Sequence, residues 1–187
     1  MSKYNGTIID MSTERKVVIG ITLATILIIK GGMWLIGKQE VKEKEKLGKP
    51  LMGDEPQLQG ANHVKRGDPH PTYSSNPPTS GWHWRDGVAG PGIKDKEVPD
   101  ELVLHSMEHG AVVVWYKADL PTDQIEKIKN AFNSASGKKI MLPRVNIDVP
   151  VALTSWGRLF KLQTIDEVKI KEFIDTNNDR APENAPI

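Results

Sequence analysis

The run from Val17 to Ile36 constrains this chain more than any other stretch of it. Val17 to Ile29 holds no charge; Lys30, Gly31 and Gly32 interrupt it, and Met33-Trp34-Leu35-Ile36 resumes the apolar character. The whole is about the ~20 residues that a helix needs to cross a bilayer. Lys30 stands near the end of the span, where its aliphatic stem lets the ammonium reach the headgroups, and Trp34 suits an interfacial position. The part before Lys30 also has the size of a signal-peptide core. No small-x-small cleavage site follows it, which favours an uncleaved anchor. A buried core helix is the alternative for such a run.

The chain then divides into a short N-terminal tail (1–16), a transmembrane anchor (17–36), a charged linker (37–58) and a domain (59–187). Gly37 to Pro50 is rich in lysine and glutamate and reads as a solvated linker or a frayed continuation of the helix. Orientation does not follow from charge. Lys3, Arg15 and Lys16 precede the span and Lys38, Lys42, Lys44, Lys46 and Lys49 follow it, which leans towards a cytoplasmic C-terminal side. That rule weakens when a whole folded domain follows. An Asn5-Gly6-Thr7 glycosylation sequon is too common a pattern to use.

Composition removes several functions. With 25 basic and 24 acidic residues the charges nearly cancel, and no concentrated basic face calls for nucleic acid. There is no cysteine, so thiolate zinc sites, iron–sulfur clusters and disulfides are excluded. Any metal must be held by His, Met, Asp, Glu or backbone oxygens.

Asp68 to Gly92 is dense in Pro, Gly, Ser, Thr and Asn, a composition that fixes turns and extended backbone. So long an irregular stretch inside a domain is often functional. Regular structure is clearer downstream. Ala111 to Tyr116 reads as a buried strand. Leu120-Pro121-Thr122-Asp123 opens a helix with Ile125, Ile128 and Phe132 as its apolar stripe, and Gly137 ends it. Lys139–Pro143, Val149–Trp156 and Leu159–Gln163 read as strands. A last helix from Thr164, with Glu167 at capping-box spacing, puts Val168, Ile170, Phe173 and Ile174 inside and stops at Asn177-Asn178. The tail from Ala181 is expected to fray. The fold class is α+β: a small, mainly antiparallel sheet with helices on one face, preceded by one N-terminal transmembrane helix.

Chemistry concentrates in His105-Ser106-Met107-Glu108-His109-Gly110, directly before the strand. A helical turn puts His105 and His109 on one face; a strand would point His105, Met107 and His109 the same way. His63 and His83 lie upstream in the irregular segment, and His70 is a fifth imidazole. Imidazole with thioether and no thiolate suits copper; imidazole with carboxylate suits zinc, iron or manganese. The bland alternative is hydrogen-bonded or surface histidines. His-x-x-Glu-His also matches the inverted zinc-protease pattern, with Glu108 as base, but the β-branched run after Gly110 leaves no helix to carry it. Ser80 near His83 lacks an orienting acid and reads as a turn residue. Trp82 and Trp84 flank His83 and suit either a site cover or a core edge.

On these residues the sequence resembles a bacterial family of unknown function, DUF3105. The resemblance rests on His63-Val64, Tyr73-Ser74-Ser75-Asn76-Pro77-Pro78-Thr79-Ser80-Gly81-x-His83, Val98-Pro99-Asp100-Glu101, His105-Ser106-Met107-Glu108-His109-Gly110, Pro150 to Leu159 and Phe173-Ile174-Asp175. The family pattern has positions matching His63, His83, His105 and His109, but not His70. Trp82 stands where Pro is expected, and Trp84 to Gly92 departs from the pattern. The resemblance implies an N-terminal membrane anchor and an extracytoplasmic domain, without naming a biochemical role. The expectation is a single-pass cell-membrane protein whose extracytoplasmic domain binds a metal ion, copper favoured over zinc, through His63, His83, His105, Met107 and His109. Its role would be metal handling or support of a membrane redox complex. The alternatives are a metal-free accessory subunit of a membrane complex, and a metal-dependent hydrolase. Binding is favoured over catalysis.

Overall fold

The computed structural model of the chain describes residues 11–183 and 185–187. Residues 1–10, with most of the tail, Lys3 and the Asn5-Gly6-Thr7 sequon, lie outside the described residues, as does Asn184. The chain forms two compact units that divide after Gly48.

Among the described residues the first unit is a single helix, α1 (Met11–Gly48). Its Arg15–Gly48 portion is long and apolar enough to cross a membrane, and large apolar side chains such as Leu27 and Ile28 are exposed along it. Thr22 and Thr25 donate their hydroxyls to the carbonyls of Val18 and Ile21, so their polarity is absorbed inside the helix. The lysine- and glutamate-rich run continues this helix to Gly48.

The second unit starts at Lys49, so residues 49–58 belong to the folded unit and not to the linker. The reason lies in their backbone bonds. Asn177 holds both the N–H and the carbonyl of Met52 (3.0 and 2.9 Å), and Asp54 forms a two-bond antiparallel bridge with Leu159.

At the centre is a five-stranded sheet: β3 (Gly92–Ile93), β4 (Val112–Lys117), β5 (Lys139–Arg144), β6 (Val151–Ser155) and β7 (Arg158–Leu162), in the order β3-β5-β4-β6-β7. It is mixed, not mainly antiparallel. β3–β5 and β4–β5 are parallel, while β4–β6 and β6–β7 are antiparallel. The cause is α3 (Thr122–Ser134), which lies between β4 and β5 in the chain and carries it back so that both strands run the same way.

Helices cover both faces, not one. The alternation of β4 divides its side chains between two cores. Val112, Val114 and Tyr116 pack with Ile128 and Phe132 of α3 and with Ile170, Phe173 and Ile174 of α4 (Glu167–Asn177). Val113 and Trp115 meet Val103, Leu104 and Met107 of α2 (Asp100–Glu108) on the other face. α4 starts later than expected because Asp166, not Thr164, caps it: its carboxylate accepts from the Lys169 N–H at 3.1 Å. Val168 points outward, 75% exposed, instead of inward, because two residues put it on the opposite side of the helix from Ile170.

These faces give a paired test. Phe173 is fully buried and stacked on Phe160 at 6.0 Å, so Phe173→Ala should cost about 3–5 kcal/mol of unfolding free energy. Val168→Ala should stay within about 0.5 kcal/mol. Denaturant unfolding of the two variants checks this, and equal losses would contradict the assigned face.

Candidate metal centre

α2 is short because two reverse bonds close it. The Gly110 N–H bonds to the Met107 carbonyl and the Ala111 N–H to the Ser106 carbonyl, both at 3.0 Å, with Gly110 at φ +94°. This is the Schellman pattern, in which glycine takes the left-handed position after the helix. A Cβ at Gly110 would come within 2.9 Å of the Asp179 backbone. His-x-x-Glu-His is therefore helical from His105 to Glu108 with His109 as the cap, and the strand begins only at Val112. The expectation that no helix carries this motif was wrong: one glycine suffices to pass from helix to strand.

At its start α2 is clamped by a two-bond ion pair, Arg144 to Asp100 at 2.7 and 3.0 Å. Val103, Leu104 and Met107 then face the core, which turns His105 and Glu108, three apart, to the other side.

The irregular segment brings two more imidazoles to that side. β1 (His63–Val64) and β2 (His83–Trp84) are a short parallel pair in which His63 stands opposite His83. Residues in register on paired strands point to one face, and the two rings are 4.6 Å apart. The Ser80 hydroxyl accepts from the Gln59 N–H, and Gly81 N–H bonds to the Gly60 carbonyl, which pins the strands together. Ser80 is thus a buried backbone tie, not a nucleophile beside His83.

His63, His83, His105 and Glu108 converge, each offering one ligand atom, with all four atoms within 4.8 Å of one another. Glu108 Oε2 lies 3.0 Å from His83 Nε2 and 3.3 Å from His63 Nε2. Donors bound to one metal at ~2.0–2.2 Å sit roughly 3–4 Å apart, so a small closure would bring this set onto an ion. The tautomers are set from behind. His83 Nδ1 donates to the Gly81 carbonyl and His105 Nδ1 to the Gly87 carbonyl, both at 2.8 Å. Carbonyl oxygens only accept, so each Nδ1 carries the proton and each Nε2 is left for the centre. His83 and Glu108 are buried, His63 is partly open, and the edge of Trp156 closes on His83 at 6.1 Å. The Trp84 ring lies against Arg66.

The family described as "Protein of unknown function (DUF3105)" matches residues 63–186. This chain belongs to it. No curated protein and no solved structure matches the chain. The DUF3105 match opens on His63, so every residue of the cluster falls within it.

Two of the expected ligands stand elsewhere. Met107 is fully buried, and its sulfur accepts a hydrogen bond from the Thr154 hydroxyl at 3.2 Å. It belongs to the core because it shares the inner face of α2 with Val103 and Leu104. His109 sits one step along, with Nδ1 bonded to the Pro186 carbonyl at 2.9 Å and Nε2 3.4 Å from Glu183 Oε2. His70 pairs with Glu101, apart from the cluster. The member of the cluster that sequence reasoning missed is Glu108. Its i,i+3 spacing from His105 was the available signal. The tail beyond Ala181 is not frayed at this point, because the Glu183 N–H bonds to the Glu108 carbonyl at 3.0 Å.

Burial holds His105 below its ordinary value of 6.5; the Gly87 carbonyl opposes this, and charge on His109, His83 and His63 adds to it. A proton therefore binds the unfolded chain more readily than the folded one. The stability that neutral His105 contributes is complete above the unfolded value and is lost as pH falls through the lowered folded one. In chelator-treated protein, unfolding free energy should fall from about pH 7 to about pH 5, and His105→Gln should flatten that slope. An unchanged slope in the variant would sink this assignment.

Proposed function

We propose that this protein is a single-pass membrane protein whose extracytoplasmic domain binds a transition-metal ion through His63, His83, His105 and Glu108. The observation that supports it is the pair of Nδ1–carbonyl bonds behind His83 and His105, which leave two Nε2 atoms aimed at a buried carboxylate. Without a proton or a cation between them, the lone pairs of His83 Nε2 and Glu108 Oε2 would face each other at 3.0 Å. The preference for copper no longer rests on a thioether, since Met107 is in the core. It rests on affinity: sites rich in nitrogen donors bind Cu(II) more tightly than Zn(II). The role we infer is metal handling or support of a membrane redox complex, with α1 as the anchor.

α2 does supply a helix, whose absence argued against a hydrolase, but His109 caps it and does not join His105 in the cluster. Glu108, however, touches two imidazoles directly and is 3% exposed, which is a ligand's position more than that of a base working through water. A metal-free accessory subunit is the remaining reading, and metal analysis separates it.

Full-length protein purified in detergent should retain or take up stoichiometric Cu(II) or Zn(II), with Cu(II) displacing Zn(II). His83→Asn with His105→Asn should abolish this uptake. Retention of no metal by the wild type would overturn the reading. For sidedness, protease added to intact cells should digest the domain while a cytoplasmic control survives; protection of the domain would reverse the orientation.

A further inference from the structure

Glu108 stands in two clusters at once. His63, His83, His105 and Glu108 form the first; Glu108, His109 and Glu183 form the second, and there too the ligand atoms lie within 4.8 Å of one another. The clusters adjoin, with the His105 and His109 rings 4.7 Å apart. We propose that the centre takes two metal ions, the Glu108 carboxylate bridging them, with His109 and Glu183 as the other protein ligands of the second. This rests on the single-ion reading above and extends it.

Three features carry the second ion. His109 repeats the arrangement of His83 and His105: its Nδ1 is committed to a backbone carbonyl, that of Pro186, and its Nε2 faces a carboxylate oxygen, Glu183 Oε2, at 3.4 Å. Glu183, though half exposed, is attached to a fixed backbone. Its own N–H bonds to the Glu108 carbonyl at 3.0 Å, and the Asp179 N–H bonds to the Gly110 carbonyl at 2.9 Å. The tail is thus zipped along the end of α2. Glu108, the shared member, has two oxygens and about four lone pairs, enough to serve two ions. It is also the last residue of α2, at the negative end of the helix dipole, which favours positive charge. Bridged two-metal sites hold their ions roughly 3.5–4 Å apart, a spacing that neighbouring imidazole rings permit. Two carboxylates and four imidazoles then share two divalent ions, with His63 and the half-exposed Glu183 marking the open side.

The test uses the full-length protein in detergent, loaded with Cu(II) alone, dialysed and analysed for metal per chain, with electron paramagnetic resonance on the same samples. Two ions per wild-type chain are expected, with the isolated-ion signal weakened by coupling between neighbouring spins. His109→Asn combined with Glu183→Gln should leave one ion and restore the isolated-ion signal, while circular dichroism stays unchanged. One ion in the wild type, kept by that double variant, would overturn the bridge and leave the single-site reading standing. Two uncoupled ions, or two ions still held by the double variant, would overturn it as well. No ion at all would overturn both.

Discussion

The turn at Gly110 couples the sheet to the centre. A helix that has just placed His105 and Glu108 must reverse into a strand that runs through the middle of the sheet, and only His109, Gly110 and Ala111 separate them. The left-handed backbone of Gly110 makes that possible, and the close approach of Asp179 leaves no room for a side chain there. From this corner follow the inward face of α2, the opposite face that bears His105 and Glu108, and the backbone bonds that draw Asp179 and Glu183 to the helix end.

The carboxylate in the middle is the costly part of the arrangement. Burying an ionised group without compensation is strongly unfavourable. Among the described residues, imidazoles are what faces Glu108, at 3.0 and 3.3 Å, and imidazoles neutralise a carboxylate only when they hold a proton or share a cation with it. Everything around Glu108 is arranged to keep the imidazoles in place: a parallel strand pair for His63 and His83, carbonyls behind His83 and His105, and an Arg144–Asp100 clamp at the far end of α2.

Much of the regular structure was legible in the sequence. β4, α3, β5, β6 and β7 lie where β-branched runs, an apolar stripe and turn glycines place them. The parallel pairing of β4 and β5 runs against the expected mainly antiparallel sheet, although strand, helix and strand in that order were its signal. What the sequence hid is of a different kind. The helical state of His105 to Glu108 was masked by the β-branched residues after Gly110, which argue for extended chain. Met107 reads as a ligand by its neighbours and as core by its phase on the helix, and phase decides. Val168 was misjudged because it stands two residues before Ile170, on the opposite side of α4. The meeting of His63 with His83 depends on a two-residue pairing within an irregular segment, which no periodicity announces.

That pairing has a consequence for the chain as a polymer. His63, His83 and His105 belong to three successive segments with long excursions between them, and the chain has no cysteine with which to tie them. An ion shared among the three imidazoles and Glu108 would close both excursions into loops. It would restrict the unfolded chain in the way a disulfide does, with a gain that grows slowly with loop length. The irregular half of the domain has little ladder bonding of its own, so its order and its metal content would rise and fall together.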